Sequence, residues 1–96
     1  MPGVRWGVLG TGSIARTVAD AVPGAFVAAA SRDAGRARAF GLAHSFSSYG
    51  ELVDSDAVDA VYVALPNALH PEWTERALRA GKHVLCEKPF TANAAE

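Results

Sequence analysis

Short apolar runs alternate along this chain with stretches whose hydrophobic residues recur at helical spacing. Trp6-Gly7-Val8-Leu9 carries no polar alternation, the pattern of a strand buried on both faces. Ile14, Val18 and Val22 then recur every four residues with Ala15 and Ala19 beside them, which predicts one buried face of a helix ended by Pro23-Gly24. A second apolar run from Phe26 to Ala30 predicts the second strand. Asp33 is placed to cap a helix that buries Ala37 and Phe40 and closes at Gly41. His44 to Ser47 is a short candidate for a third strand, and Ser48-Tyr49-Gly50-Glu51 has the capping-box spacing ahead of Leu52 and Val53.

Val58 to Leu65 is the most apolar run and predicts a fourth strand near the sheet centre, broken by Pro66-Asn67. Pro71 at the start and Gly81 just past the end bracket another helix, and Lys82 to Cys86 supplies a fifth strand. Strands joined through helices of this length need right-handed crossovers, so the sheet is mostly parallel. The expected class is α/β, a doubly wound sheet of the Rossmann type, with residues 1–96 forming a single nucleotide-binding domain. Asn93 and Glu96 are spaced as a helix cap and its returning carboxylate. A sixth strand and a separate α+β substrate domain are therefore expected to lie outside these residues.

Composition narrows the function more by exclusion than by direction. Half of the 96 residues are hydrophobic and the formal net charge is −1, a globular balance that makes no electrostatic case for nucleic acid or an anionic membrane. No apolar run approaches the roughly 20 residues of a membrane span, and the N-terminus has no signal-peptide pattern. Cys86 is the sole cysteine, which fits a cytoplasmic protein and a small strand residue better than a nucleophile. His44 and His83 have no partner at ligand spacing, so no metal site is expected. Trp73 is expected to seat the last helix on the sheet.

The chemistry starts at Gly10-Thr11-Gly12-Ser13-Ile14-Ala15, which fits G-x-G-x-x-G/A between a buried strand and an amphipathic helix. The first glycine permits a tight turn, the second lets a pyrophosphate reach the backbone, and Ala15 keeps helix and sheet close. The N–H groups that open the helix at Ser13 then face the phosphates, helped by the helix dipole. An NAD site places an acidic residue at the end of the second strand, about 20 residues on. Here Ser31-Arg32 stands there, with Arg36 one helical turn further. A hydroxyl and guanidinium groups suit the 2′-phosphate, so NADP is expected over NAD. Asp33 could instead be an acidic ribose ligand, but it lies past the strand end and reads as the helix cap. Arg36 and Arg38 have the plainer alternative of a solvated helix face.

Ligands of open α/β sheets lie beyond the carboxyl ends of the strands, where two more segments fall: Leu65-Pro66-Asn67-Ala68-Leu69-His70 and Glu87-Lys88-Pro89. His70, directly before Pro71, reads equally as a helix cap. Together with Gly10 to Ala15, the Pro66-Asn67-x-x-His70 run and Ala80-Gly81-Lys82-His83-Val84-Leu85-Cys86-Glu87-Lys88-Pro89 resemble the glucose–fructose oxidoreductase / inositol dehydrogenase family. That resemblance spans nearly the whole chain. It implies an oxidoreductase that uses NADP(H), or NAD, on the hydroxyl or carbonyl of a sugar, polyol or related small molecule. It further implies that Lys88 is the catalytic-site lysine, that Glu87 contacts the nicotinamide ribose, that Asn67 and its neighbours line the cofactor, and that His70 lies toward the nicotinamide. Partner residues of a second domain are implied too, as is a homo-oligomer formed through that domain. The alternative of another class is a non-catalytic dinucleotide sensor of the same fold, which has no need of Lys88.

Overall fold

The computed structural model describes residues 4–86. Five strands form one parallel sheet: β1 (Trp6–Leu9), β2 (Phe26–Ala30), β3 (His44–Phe46), β4 (Ala60–Val63) and β5 (His83–Cys86), in the order β3-β2-β1-β4-β5. The helices are α1 (Ser13–Ala21), α2 (Ala34–Ala39), α3 (Tyr49–Val53) and α4 (His70–Arg79), with a single 3₁₀ turn at Asn67–Leu69. The chain winds from β1 out to β3, crosses back, and continues through β4 to β5. This is the doubly wound Rossmann arrangement, whose reversal of direction lies between β1 and β4.

Alternation along the strands sorts the core into two layers, because successive side chains point to opposite faces. Val8, Ala29 and Tyr62 meet Ala15 and Ala19 of α1 and Phe40 beyond α2 on one face. Leu9, Ala28, Ala30, Val61 and Val63 meet Leu52 and Val53 of α3 and Ala77 of α4 on the other. β1 and β4 are buried on both sides, as their unbroken apolar runs require.

One expectation from periodicity needs correction. The buried residues of α1 are Ala15 and Ala19, whereas Ile14 and Val22 are about half exposed at 53% and 49%. Ile14 sits in the first turn, and Val22 lies past the helix end with a non-helical backbone (φ −129°, ψ 71°), so the helix holds neither against the sheet. The alanines win the inner face because Phe26, Phe40 and Tyr62 already fill that layer.

The helix ends follow their local chemistry. Asp33 Oδ1 accepts from the N–H groups of Gly35 (2.8 Å) and Arg36 (3.2 Å), the expected cap of α2. Ser48 Oγ accepts from Glu51 N at 3.2 Å. The reciprocal half of that box is absent, since the Glu51 carboxylate takes the Ser47 hydroxyl at 3.5 Å instead. Gly41 and Gly81 follow α2 and α4 with φ of +89° and +84°, and Pro71 falls in the first turn of α4. Trp73 does seat α4, edge-on to Tyr49 of α3 at 5.4 Å between ring centroids. At the amino edge of the sheet, Arg5 makes a forked pair with Asp59, both bonds 3.0 Å. That guanidinium holds the Asp59 carboxyl down to about 2.

Candidate dinucleotide site

The first turn at the carboxyl edge is fixed by its backbone. Gly10 N donates to Ala30 O at 2.9 Å, and Ala64 N donates to Leu9 O at 3.0 Å, so β2 and β4 grip the turn from either side. Gly10 has φ +99°, and a Cβ there would sit 2.6 Å from the Ala64 carbonyl oxygen. The fold itself therefore demands this glycine.

Gly12 is different. Its backbone is extended (φ −78°, ψ −169°), a conformation open to any residue, and a Cβ would meet nothing within 4 Å. Nothing among the described residues requires glycine at this position. The space in front of it is shared by three cavities, all of which Gly12 lines. A missing side chain that the fold does not need leaves room for something outside the fold, and the start of α1 offers free N–H groups to that space.

The largest of the three cavities, about 510 Å³, runs from Gly10-Thr11-Gly12 to Ser31, Arg32, Asp33 and Arg36, and across to Leu65 and Pro66. Ser31 is buried, and its Oγ accepts from Asp33 N at 3.1 Å, which leaves its own O–H free to donate. Arg32 is exposed at the cavity. Asp33 commits Oδ1 to the α2 cap, as its position past the strand end suggested.

A second cavity, about 440 Å³, extends from Gly12, Ser13 and Ile14 to Leu65, Pro66, Asn67 and His70. His70 is the first residue of α4, and its side chain does not cap that helix. Its Nε2 instead lies 2.6 Å from the Leu65 carbonyl oxygen. A carbonyl only accepts, so Nε2 carries the proton and the ring ties the end of β4 to the start of α4.

The third cavity, also about 440 Å³, opens between α1 and α2 and adds Arg16, Ala39 and Phe40 to Thr11, Gly12, Ser13 and Arg36. Every candidate from Gly10 to His70 thus faces one of three adjoining spaces. Glu87 and Lys88 lie outside the described residues. The sequence reading missed the lining residues Arg16 and Tyr49, and with them the apolar Ala39, Phe40 and Ala64. Arg16 follows the glycine motif directly and could have been suspected as a cation one turn into the helix. For Tyr49, which opens α3 across the sheet, the sequence holds no such signal.

Among the described residues, no group of three or more His, Cys, Asp or Glu is placed to hold a metal ion. Nor is any described helix long and apolar enough to cross a membrane.

Comparison with known proteins agrees with this geometry. The profile of an oxidoreductase family with an NAD-binding Rossmann fold matches residues 4–96. The chain is 44% identical to a D-xylose 1-dehydrogenase (NADP(+)) of Haloferax volcanii and 43% identical to a scyllo-inositol 2-dehydrogenase (NADP(+)) of Bacillus subtilis. In each case 97% of the chain aligns with 31% of the relative, so the chain spans under a third of the length of these proteins. A solved 3-ketoreductase from Actinomadura kijaniata, in complex with NADP, superposes with a TM-score of 0.80 at 45% identity, over 90% of this chain and 30% of that one.

Proposed function

Because the chain belongs to the glucose–fructose oxidoreductase / inositol dehydrogenase family, we propose that it is the nucleotide-binding part of an NADP(H)-dependent oxidoreductase. Its substrate is a sugar, polyol or related compound with a hydroxyl or carbonyl group. The reading is carried by Gly12, a glycine that no contact among the described residues and no backbone angle explains, at the edge of three cavities.

The residues fit the dinucleotide in order along the carboxyl edge. The pyrophosphate rests on the N–H groups opening α1, where the glycine turn lets it approach. Ser31 and Arg36 face the adenosine ribose, the hydroxyl as a donor and the guanidinium as a fork for the 2′-phosphate. Arg32 offers a flat cation to the adenine. Asp33 lies past the strand end and commits Oδ1 to the helix cap, which favours its role as a cap over that of the acidic ribose ligand of an NAD site. Leu65, Pro66, Asn67 and His70 line the nicotinamide side, and the relatives named for NADP(+) enzymes support the same choice of cofactor.

When bound, the nicotinamide supplies the acceptor or donor for a hydride. Lys88, just past β5, donates a hydrogen bond to the reacting substrate oxygen, and its ammonium stabilises that oxygen as negative charge develops. Glu87 beside it contacts the nicotinamide ribose.

Titration of the intact protein with NADPH and NADH tests the cofactor, with NADPH expected to bind more tightly; tighter NADH overturns the assignment. In the same protein Lys88→Ala is expected to lower sugar turnover at least about a hundredfold while leaving the NADPH dissociation constant nearly unchanged. Unaltered turnover refutes the role of Lys88.

A further inference from the structure

The cavity between α1 and α2 has two arginines on its walls, Arg16 from α1 and Arg36 from α2. Arg36 also lines the proposed adenosine cavity with Ser31 and Arg32, and the two spaces share Thr11, Gly12 and Arg36.

Arg16 is held as few surface arginines are. Its guanidinium carbon lies 3.9 Å from the centroid of the Phe40 ring, and Phe40 is itself a buried core residue. Nη2 donates to the Phe40 carbonyl, and Nη1 lies 3.2 Å from Asp20. A side chain that ordinarily loses much rotamer freedom on binding is here already confined by a ring, a carbonyl and a carboxylate. The Asp20 partner is 64% exposed, so water screens that pair and leaves Arg16 effective as a cation. Arg16 and Arg36 both line this cavity, and two cations on one space favour an anion between them.

We infer that Arg16 is a specificity-determining residue for the adenosine 2′-phosphate, gripping it from α1 while Arg36 grips it from α2. This rests on the dinucleotide reading above and adds a residue to it. The pyrophosphate is the competing partner for Arg16, and the two are separable because NADH carries the pyrophosphate without the 2′-phosphate.

Dissociation constants for NADPH and NADH, measured on the intact protein and on Arg16→Ala, read the difference. The expected result is about tenfold weaker NADPH binding with NADH changed less than about twofold. Equal losses for both nucleotides place Arg16 on the pyrophosphate or in a purely structural role, and overturn the inference; so does an unchanged ratio. Arg16→Lys keeps the charge and removes the fork, and an intermediate loss confined to NADPH is expected. It reads the same ratio should Arg16→Ala fail to fold. If the unaltered protein binds neither nucleotide, the dinucleotide reading fails first, and that outcome is distinct from a change in ratio.

Discussion

The turn after β1 and the loop after β4 lie against each other at the carboxyl edge of the sheet, yet they are held by opposite means. Backbone alone sets the first: a positive φ at Gly10 and ladder-like bonds to Ala30 and Ala64 leave no role for a side chain. A side chain ties the second, through the His70 ring on the Leu65 carbonyl. The first turn is therefore rigid by backbone geometry once glycine is present, and the second adds an imidazole tie to the backbone bond of its 3₁₀ turn, Leu69 N to Pro66 O at 2.9 Å. The rigid turn suits a group common to all dinucleotides, the pyrophosphate. The side-chain-tied loop sits on the nicotinamide side of the proposed site.

The sharpest way to break this contrast is at Gly10. Alanine there takes on a left-handed conformation and a 2.6 Å approach to a backbone oxygen, with a combined cost of about 3 kcal/mol, a large share of a small domain's stability. A melting temperature close to that of the unaltered protein would show that the turn is less constrained than its geometry states. At His70 the expected effects are smaller. His70→Ala removes one hydrogen bond, about 1 kcal/mol in stability, and loosens the loop enough to weaken NADPH binding severalfold. His70→Gln, which can still donate to Leu65, is expected to recover most of both, and binding that ignores both changes would mean the loop is set by Pro66 and the 3₁₀ turn alone.

The smallest effect is expected at the opposite edge. The Asp59 carboxyl is held at about 2 against 3.8 ordinarily, because Arg5 favours its charged form. A depressed folded-state value adds stability that is complete above the ordinary value and vanishes as pH falls through about 2. Asp59→Asn should therefore lower the melting temperature slightly at neutral pH, with the difference closing in acid and at high salt. Dinucleotide affinity should not change, since the pair lies at the amino end of the strands. An equal difference at every pH would mean that the ion pair is not its source.

What could be read from the residues alone follows the same division. The individual strands and helices, the glycine turn and the caps at Asp33 and Ser48 were legible because each depends on residues a few positions apart. The inner face of α1 was not, since Ile14 and Val22 look more hydrophobic than the alanines that displace them. Only the packing of Phe26, Phe40 and Tyr62 decides that contest. The Arg16 contact with Phe40, 24 positions away, and the entry of Tyr49 into the cavity beside Ser31 and Arg32 depend on helices whose approach no local pattern specifies. His70 was placed at the nicotinamide side, but its bond to Leu65 depends on how tightly the 3₁₀ turn closes.

Gly12→Ala carries the central claim most directly, with thermal stability and NADPH affinity measured on the same preparation. Alanine is a poorer cap than glycine but restricts the unfolded chain, two effects of about 0.5–1 kcal/mol that oppose each other. The account predicts a melting temperature nearly unchanged and NADPH binding weakened at least about tenfold, because the methyl group fills the space the pyrophosphate needs. Unchanged binding, or binding and stability falling together, would contradict it.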